Sequence, residues 1–489
     1  MIILKTDRTE YFNDISEEIR LFYGNRDIEM DSPELPAFDG DVLNLTATLV
    51  DGEDGCQACA TANGLVGTAF MPYEGKDALA VKRIEKRCLK SAVYELMVRL
   101  RPDVSVPWGS LTGIRPTKLF RDISRASSAR EAEDRFTQVF HVSGQKTELA
   151  KTITAVQEPF IRSVRDNDID VYVGIPFCRT RCLYCSFASE VVGKKDTLSP
   201  YVTSLFTDIR HGADMVKRFG YHVRAIYIGG GTPTVLSEGQ LSELLDCVLT
   251  SYAPFDGELT VEAGRPDTIT AGKLHVMREH GVTRISINPQ TMSDETLLRI
   301  GRLHTAEEIV DCYRLARSCG FTLINMDLIA GLPGERYGDF MHSLGQVVEL
   351  APENLTVHSL AIKRSSRLKA HLDEYPLAEA GEVDRMISSA LSVAEGNGYR
   401  PYYLYRQKYM SGNLENVGYA LPGTECMYNV DMMEETVNIL AHGACAISKR
   451  LFQQESRVER LAAPKNVDVY LEKLPQLLQE KENMFRREV

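Results

Sequence analysis

The sequence predicts an α/β protein: a partial (β/α)6 barrel with an N-terminal α+β domain and a small C-terminal domain. Three observations predict it. From about residue 170 a short β-branched or apolar run alternates with a helical stretch, and the cycle repeats six times; parallel strands need crossover helices, so the cycle reads as a parallel sheet. The 489 residues exceed one small module at roughly 150 residues per domain. Apolar residues make up 44% and charged residues 25% of the chain, the composition of a globular protein with a sizeable core.

The expected barrel strands are 170–175, 224–228, 257–262, 284–288, 323–329 and 354–360. Helical stretches lie between them near 199–218, 237–251, 268–280, 305–319 and 337–349, and a further one near 380–397 follows the last strand. Residues 1–165 read differently: a helix at 14–23, a Pro-rich link at 33–37, an alternating strand at 42–50, a long helix near 77–100 and a helical region over 128–165. In the long helix Val81, Ile84, Cys88, Ala92, Leu96 and Leu100 share one face at helical spacing, which makes Cys88 a core thiol. After 400 come a Tyr-rich segment, a Gly/Asn-rich loop (411–424) and an amphipathic helix near 466–481. The expected domains are therefore 1–165, 166–380 and 381–489.

Fifty-six Lys and Arg against 68 Asp and Glu give a net charge of −12, which argues against a non-specific nucleic-acid binder. The N-terminus reaches charge at once and no 18 consecutive apolar residues occur, so neither a signal peptide nor a membrane span is expected and the chain reads as cytoplasmic. In a reducing compartment its eleven cysteines are buried thiols or metal ligands rather than disulfide partners.

Three of them, Cys178, Cys182 and Cys185, stand as Cys-x3-Cys-x2-Cys directly after the first strand of the repeat. Clustered buried thiols or part of a zinc site would also use such residues, but structural zinc takes four ligands at CxxC-type spacing and no fourth is placed nearby. A [4Fe-4S] cluster held by three thiolates leaves one iron open to an external molecule. S-adenosylmethionine can chelate that iron through its amino and carboxylate groups, beside a one-electron donor. The loop after a barrel strand is also where barrel active sites sit.

The string GIPFCRTRCLYCSF on a βα repeat resembles the radical SAM superfamily. YVGIPFC (172–178), YIGGGTPT (227–234), GRLHT (301–305), MDLIAGLPGE (326–335) and NVDVYLEKL (466–474) resemble the oxygen-independent coproporphyrinogen III oxidase family. GSLTGIRPTKL (109–119) and SGNLENVGYALPGTECMYN (411–429) resemble its HemZ-type branch. The resemblance implies a cofactor site in which Gly229, Gly230, Gly231 and Thr232 approach the methionine moiety, although a glycine run at a strand–helix junction also serves a tight turn. It implies further that Glu262, Gln290, Arg302 and Asp327 bind the amino-acid and ribose portions, and that Tyr172 and Tyr184 belong to the same site, Tyr184 near the adenine. Each of these polar residues would also suit the ordinary rim of a barrel.

The family's substrate is a tetrapyrrole bearing propionates. Lys363, Arg364 and Arg367, with Arg406 in the Tyr-rich segment, supply the cations that such carboxylates require; a solvated loop and ordinary strand packing would account for the same residues. The resemblance implies oxidative decarboxylation of coproporphyrinogen III, fed by a flavodoxin- or ferredoxin-type electron donor. Two alternatives stay open, a heme chaperone and a radical enzyme acting on heme or another porphyrin. Phe187 stands where the oxidase has a fourth cysteine and the chaperone an aromatic residue. Cys56 and Cys59, in a Gly/Ala-rich stretch read as a loop, are taken as structural; His358 and His442 could bind heme or move protons, but most isolated histidines do neither and these are read the same way.

Overall fold

The computed structural model describes the whole chain except residues 25, 33–40, 74, 76, 114, 188–189, 194–195, 364, 408–412, 453–456 and 487–489; the expected Pro-rich link lies outside the described residues. The chain divides into two compact units, Met1–Lys151 with Gly412–Leu414 and Thr152–Ser411 with Glu415–Val489. The sequence reading places this division at 165/166.

In the first unit β1 (Ile2–Thr6), α1 (Phe12–Tyr23), β2 (Ile28–Met30), β3 (Leu43–Asp51), β4 (Gly55–Ala62) and β5 (Leu65–Pro72) precede the long α2 (Ala78–Leu100). The strands form one sheet in the order β2-β1-β3-β4-β5. Cys56 and Cys59 lie on β4, not in a loop. The β4–β5 turn is Asn63-Gly64, both in the left-handed region at φ 50° and 76°, the dipeptide that suits a two-residue hairpin. Ala47, Ala58, Ala60, Cys88, Ala92 and Leu96 are buried in one core between this sheet and α2. The helical region expected over 128–165 is broken: α3 (Pro116–Ala126) and α4 (Ala129–Asp134) come first, a π-helical turn spans Arg135–Val139, and α5 (Gly144–Arg162) follows.

The second unit begins its sheet with β6 (Asp168–Ile175). Two short strands, β7 (Phe177–Cys178) and β8 (Glu190–Val191), pair across the cysteine loop. Then α6 (Leu198–Arg218), β9 (His222–Gly230), α7 (Glu238–Ser251), β10 (Glu258–Gly264), α8 (Ala271–Glu279), β11 (Arg284–Ile287), α9 (Asp294–Arg299), α10 (Ala306–Ser318), β12 (Ile324–Ala330), α11 (Tyr337–Glu349) and β13 (Asn354–Ser359) complete the six strand–helix units. Local chemistry starts these helices where the sequence says: Ser237 with Gln240 and Thr305 with Glu308 form capping boxes at α7 and α10. The barrel strands lie side by side in the order β6-β9-β10-β11-β12-β13, all parallel. This is the predicted partial (β/α)6 barrel.

The remaining elements are α12 (Arg367–Ala370), α13 (Ala380–Gly396), β14 (Arg400–Arg406), β15 (Glu415–Ala420), α14 (Met427–Glu434), β16 (Asn438–His442), β17 (Ile447–Phe452), β18 (Arg457–Ala462) and α15 (Val467–Phe485). Their strands extend the barrel sheet at both edges, giving the order β14-β15-β13-β12-β11-β10-β9-β6-β16-β17-β18. β15 runs antiparallel to β13, while β16 runs parallel to β6. Residues 415–420, read as part of a Gly/Asn-rich loop, form the fully buried strand β15.

α14 closes the N-terminal end of the strands. Glu258, the first residue of β10, accepts hydrogen bonds from the Met427 and Tyr428 amides and from the Cys426 thiol, and Arg224 near the start of β9 donates to Asp431 at 2.8 Å. With that end occupied, the open end of the barrel is the one where the strands finish.

Candidate active site

The first strand, β6, delivers the chain to Pro176 and Phe177, and the loop that follows carries the three cysteines. Surrounding elements tie it down. Thr180 Oγ1 donates to the Gly301 carbonyl at 2.9 Å and receives Arg265 Nη1 at 2.7 Å; the Leu183 amide donates to Ile300 O at 2.9 Å; Leu368 of α12 donates its amide to Leu183 O at 2.9 Å. Cys182 is buried, and Cys178 and Cys185 are half-buried. All three line one cavity of about 430 Å³ at the C-terminal ends of the barrel strands.

The donor set fits an iron–sulfur cube. A cube takes one thiolate on each of three irons, and three thiols line this one cavity. Burial pushes the Cys185 thiol up to about 11, an obstacle that metal removes because a coordinating thiol is deprotonated outright. Close approach explains the glycines beside it. A Cβ on Gly231 would lie 2.5 Å from Phe177 O and 2.9 Å from Cys178 Sγ, and one on Gly229 would lie 2.7 Å from Glu262 Oε2. Thr232 Oγ1 contacts Cys178 Sγ at 3.6 Å.

The polar wall opposite comes from the ends of successive strands. Glu262 of β10 accepts from Tyr227 OH at 2.7 Å and from the Gly230 amide at 3.2 Å; burial nevertheless pushes its carboxyl up to about 7, with Asp327 adding repulsion. Gln290, after β11, is in the left-handed region at φ 71°, uncommon for a non-glycine residue. A bridge to β12 holds it there: its amide donates to Asp327 O at 2.8 Å and its carbonyl accepts from the Ile329 amide at 2.9 Å. Arg302 donates to the Asn288 carbonyl and contacts Cys182 and the Tyr184 hydroxyl, whose titration burial pushes upward. For Asp327 burial acts upward too, but His358 and Asn325 more than offset it and hold the carboxyl below its ordinary range.

Of the residues singled out from sequence, the three cysteines, Tyr184, Gly230, Gly231 and Thr232 come together in this cavity, as do Glu262, Gln290, Arg302, Asp327 and Lys363. Gly229 sits just behind it against Glu262. Tyr172 does not line it: its ring stacks with Tyr227 and Tyr428, at centroid distances of 6.3 and 6.4 Å, inside the barrel. Arg367 is an exposed residue of α12, Arg406 is buried at the end of β14, and neither reaches the cavity. Arg364 lies outside the described residues. His442 is fully buried with both ring nitrogens engaged, Nδ1 by Asp208 at 2.9 Å and Nε2 by Tyr252 OH at 2.6 Å, and serves packing rather than chemistry. The sequence reading missed Thr180, Arg265 and Asn288, and took His358 as isolated although it faces the same cavity. Asn288 and Arg265 each directly follow a barrel strand, the position that identifies catalytic-face residues.

A cysteine loop after the first strand of a partial barrel, facing a polar ring built by the next strands, defines a radical SAM enzyme. The radical SAM superfamily profile matches residues 172–347. The chain is 39% identical over 421 residues to the oxygen-independent coproporphyrinogen-III oxidase-like protein HemZ of Bacillus subtilis (strain 168), covering 85% of this chain and 83% of that protein. It is 32% identical over 265 residues to the heme chaperone HemW of Escherichia coli (strain K12), covering 54% and 65%. Among solved structures, coproporphyrinogen III oxidase HemN from Escherichia coli shares the fold at a TM-score of 0.52 and 23% identity, over 66% of this chain and 72% of that one. The chain belongs to the radical SAM superfamily and, within it, to the HemZ-type branch of the oxygen-independent coproporphyrinogen III oxidase family. It is a radical SAM oxidoreductase whose cofactors are a [4Fe-4S] cluster and S-adenosylmethionine.

Proposed function

We propose that the protein oxidatively decarboxylates propionate side chains of coproporphyrinogen III to vinyl groups, giving protoporphyrinogen IX. The observation that carries this reading is the composition of the cavity. It sets the cluster thiols against a polar wall and places at its edge Lys363, a half-buried ammonium with no carboxylate partner among the described residues, which burial alone pushes down. Such a cation suits a propionate entering from the mouth. The 39% identity to an oxidase-like protein across most of both chains supports the same substrate class.

With its cofactors bound the site supplies a 5′-deoxyadenosyl radical, which no side chain could generate. Each of the two propionates converted gives a hydrogen atom from its β-carbon to that radical, releases carbon dioxide and passes one electron to an external acceptor. The chain's own residues hold and orient. Cys178, Cys182 and Cys185 hold the cluster; Gly231 leaves room beside Cys178 and Thr232 contacts its sulfur; Glu262, Gln290, Arg302 and Asp327 orient the cofactor; Lys363 anchors the substrate. Arg364 and Arg367 are assigned to outer contacts with the other propionates, and Arg406, buried at the end of β14, is given no substrate contact. A flavodoxin- or ferredoxin-type protein is the proposed reductant, and the cytoplasm the proposed location; no helix among the described residues is long and apolar enough to cross a membrane.

The test is anaerobic incubation of cluster-loaded protein with reductant, S-adenosylmethionine and coproporphyrinogen III. The expected products are 5′-deoxyadenosine, carbon dioxide and a vinyl-bearing porphyrinogen. The likeness to a heme chaperone favours one competing outcome, tight heme binding with a sharp Soret band and no turnover. Cofactor cleavage stimulated by heme and not by coproporphyrinogen would instead identify an enzyme that modifies heme.

A further inference from the structure

Asp327 and His358 face each other across adjacent strands. Asp327 Oδ1 is occupied by Asn325 Nδ2 at 2.7 Å, while Oδ2 points toward His358 Nε2 at 3.7 Å. That separation is too long for a hydrogen bond, and a polar gap of this length asks what sits between. From behind, Tyr405 of β14 fixes the imidazole: its hydroxyl lies 3.4 Å from His358 Nδ1, and the two rings meet edge-on at 6.4 Å. A hydroxyl donating to Nδ1 leaves the ring proton on Nε2, the nitrogen beside Asp327. Asp327, His358 and Tyr405 all line the cavity.

The chemistry of the pair selects its ligand. An anion drawn to His358 would also lie against Asp327, with Glu262 on the same wall. A cation would satisfy Asp327 and leave the Nε2 proton without an acceptor. A hydroxyl satisfies both, donating to the carboxylate and accepting from the imidazole. Of the two molecules assigned to the cavity, the porphyrinogen offers carboxylates and pyrrole nitrogens, and S-adenosylmethionine offers alcohol groups only on its ribose. We propose that His358 is a further cofactor-binding residue, acting with Asp327 as a donor–acceptor pair that reads a ribose hydroxyl, and that Tyr405 is the positioning residue that sets its tautomer. The inference rests on S-adenosylmethionine being the cofactor of this site.

It is tested by calorimetric titration of cluster-loaded protein, without turnover, using S-adenosylhomocysteine and its 2′-deoxy and 3′-deoxy analogues. Wild type should prefer the full ribose over one deoxy analogue by about tenfold, the effect of one hydrogen bond. His358→Phe should bring that ratio close to one, and His358→Gln, which keeps a donor near the place of Nε2, should restore most of it. His358→Gln also gives a reading if the phenylalanine variant fails to load its cluster: a preference kept there supports the proposal, and one lost there overturns it. Wild-type discrimination persisting in His358→Phe would overturn the proposal while leaving the cofactor assignment intact. So would lost affinity for coproporphyrin III with unchanged affinity for S-adenosylhomocysteine. A wild-type protein that ignores S-adenosylhomocysteine altogether would sink both.

Discussion

Burial outweighs the two hydrogen bonds that favour the charged form of Glu262 and pushes its carboxyl up to about 7. If its partner is the cofactor's ammonium, binding requires the ionised form, so each pH unit below about 7 adds a deprotonation to the binding equilibrium. The dissociation constant for S-adenosylhomocysteine should rise up to tenfold per unit as pH falls below about 7 and flatten above it. Titration at several pH values checks this, and Glu262→Gln should be weak and insensitive over the same range. The stability linkage runs the opposite way: a carboxyl raised in the fold stabilises at pH values below its ordinary 4.5 and loses that contribution as pH rises through 7. The site therefore binds best where this residue contributes least to folding. A sharper loss is expected at the thiols. Cys182→Ala removes a proposed cluster ligand buried beside Arg302, and should abolish the brown cluster chromophore, iron content and cofactor cleavage together; a variant that keeps its iron would contradict the metal assignment.

Between elements, the junction of β9 with the cysteine loop leaves no room for a side chain at Gly231. Gly231→Ala places a methyl group 2.9 Å from Cys178 Sγ and closer still to backbone. The strand must shift, at about 1–3 kcal/mol for overpacking of this kind, and the shift falls on Cys178, a proposed cluster ligand. Cluster occupancy, read from iron per chain after anaerobic reconstitution, should drop well before the melting temperature reports loss of the fold. Elements of this kind were legible because their signals are local. The six barrel strands and the helices between them begin and end within a few residues of their expected places, since β-branched runs alternate with 3.6-residue periodicity and Ser or Thr caps. β4 and β15 were not, for opposite reasons. β4 is made of Gly, Ala, Cys and Thr with one Gln and no large apolar residues, and its only strong signal, Asn63-Gly64, is at its far end. β15 is buried on both faces, so the Asn and Gly that suggest a loop are interior residues, and Gly418 is pressed against the Tyr403 ring. Most residues attached to a motif come together in the cavity, whereas Asn288 and Arg265 were passed over because only the folded sheet brings the ends of separate strands to one wall.

At the scale of the second unit, what the repeat could not disclose is how its ends are held, because β16 and α15 reach β6 and α6 from more than 200 residues away. The contact is a buried ionic knot. Asp208 of α6 accepts from Lys481 Nζ at 2.5 Å, His442 Nδ1 at 2.9 Å, Tyr470 OH at 2.9 Å and the Gly443 amide at 3.0 Å. Lys481 and His442 more than offset the effect of burial and hold the Asp208 carboxyl far below its ordinary range, while burial lowers His442 and keeps it neutral. A depressed carboxylate contributes stability above its unfolded pKa that is lost as pH falls through the folded one. A buried neutral histidine adds a second loss below about 6.5, where the unfolded chain takes up its proton and the folded chain does not. Both act in the same direction, so the protein should weaken steadily in acid. Lys481→Met keeps the stem and removes the charge, stranding a buried carboxylate, which typically costs about 3–5 kcal/mol. Denaturant titration at pH 7.5 should show a lowered midpoint with unchanged slope, and the cofactor affinity of the folded protein should not move, because Lys481 lies outside the cavity. On lowering the pH toward 4 the stranded carboxylate of the variant can take up a proton while the wild-type ion pair keeps Asp208 ionised, so the gap between them should narrow from the variant's side. A gap that stays constant across that range would mean the knot is held by packing of α15 on α6 and not by charge.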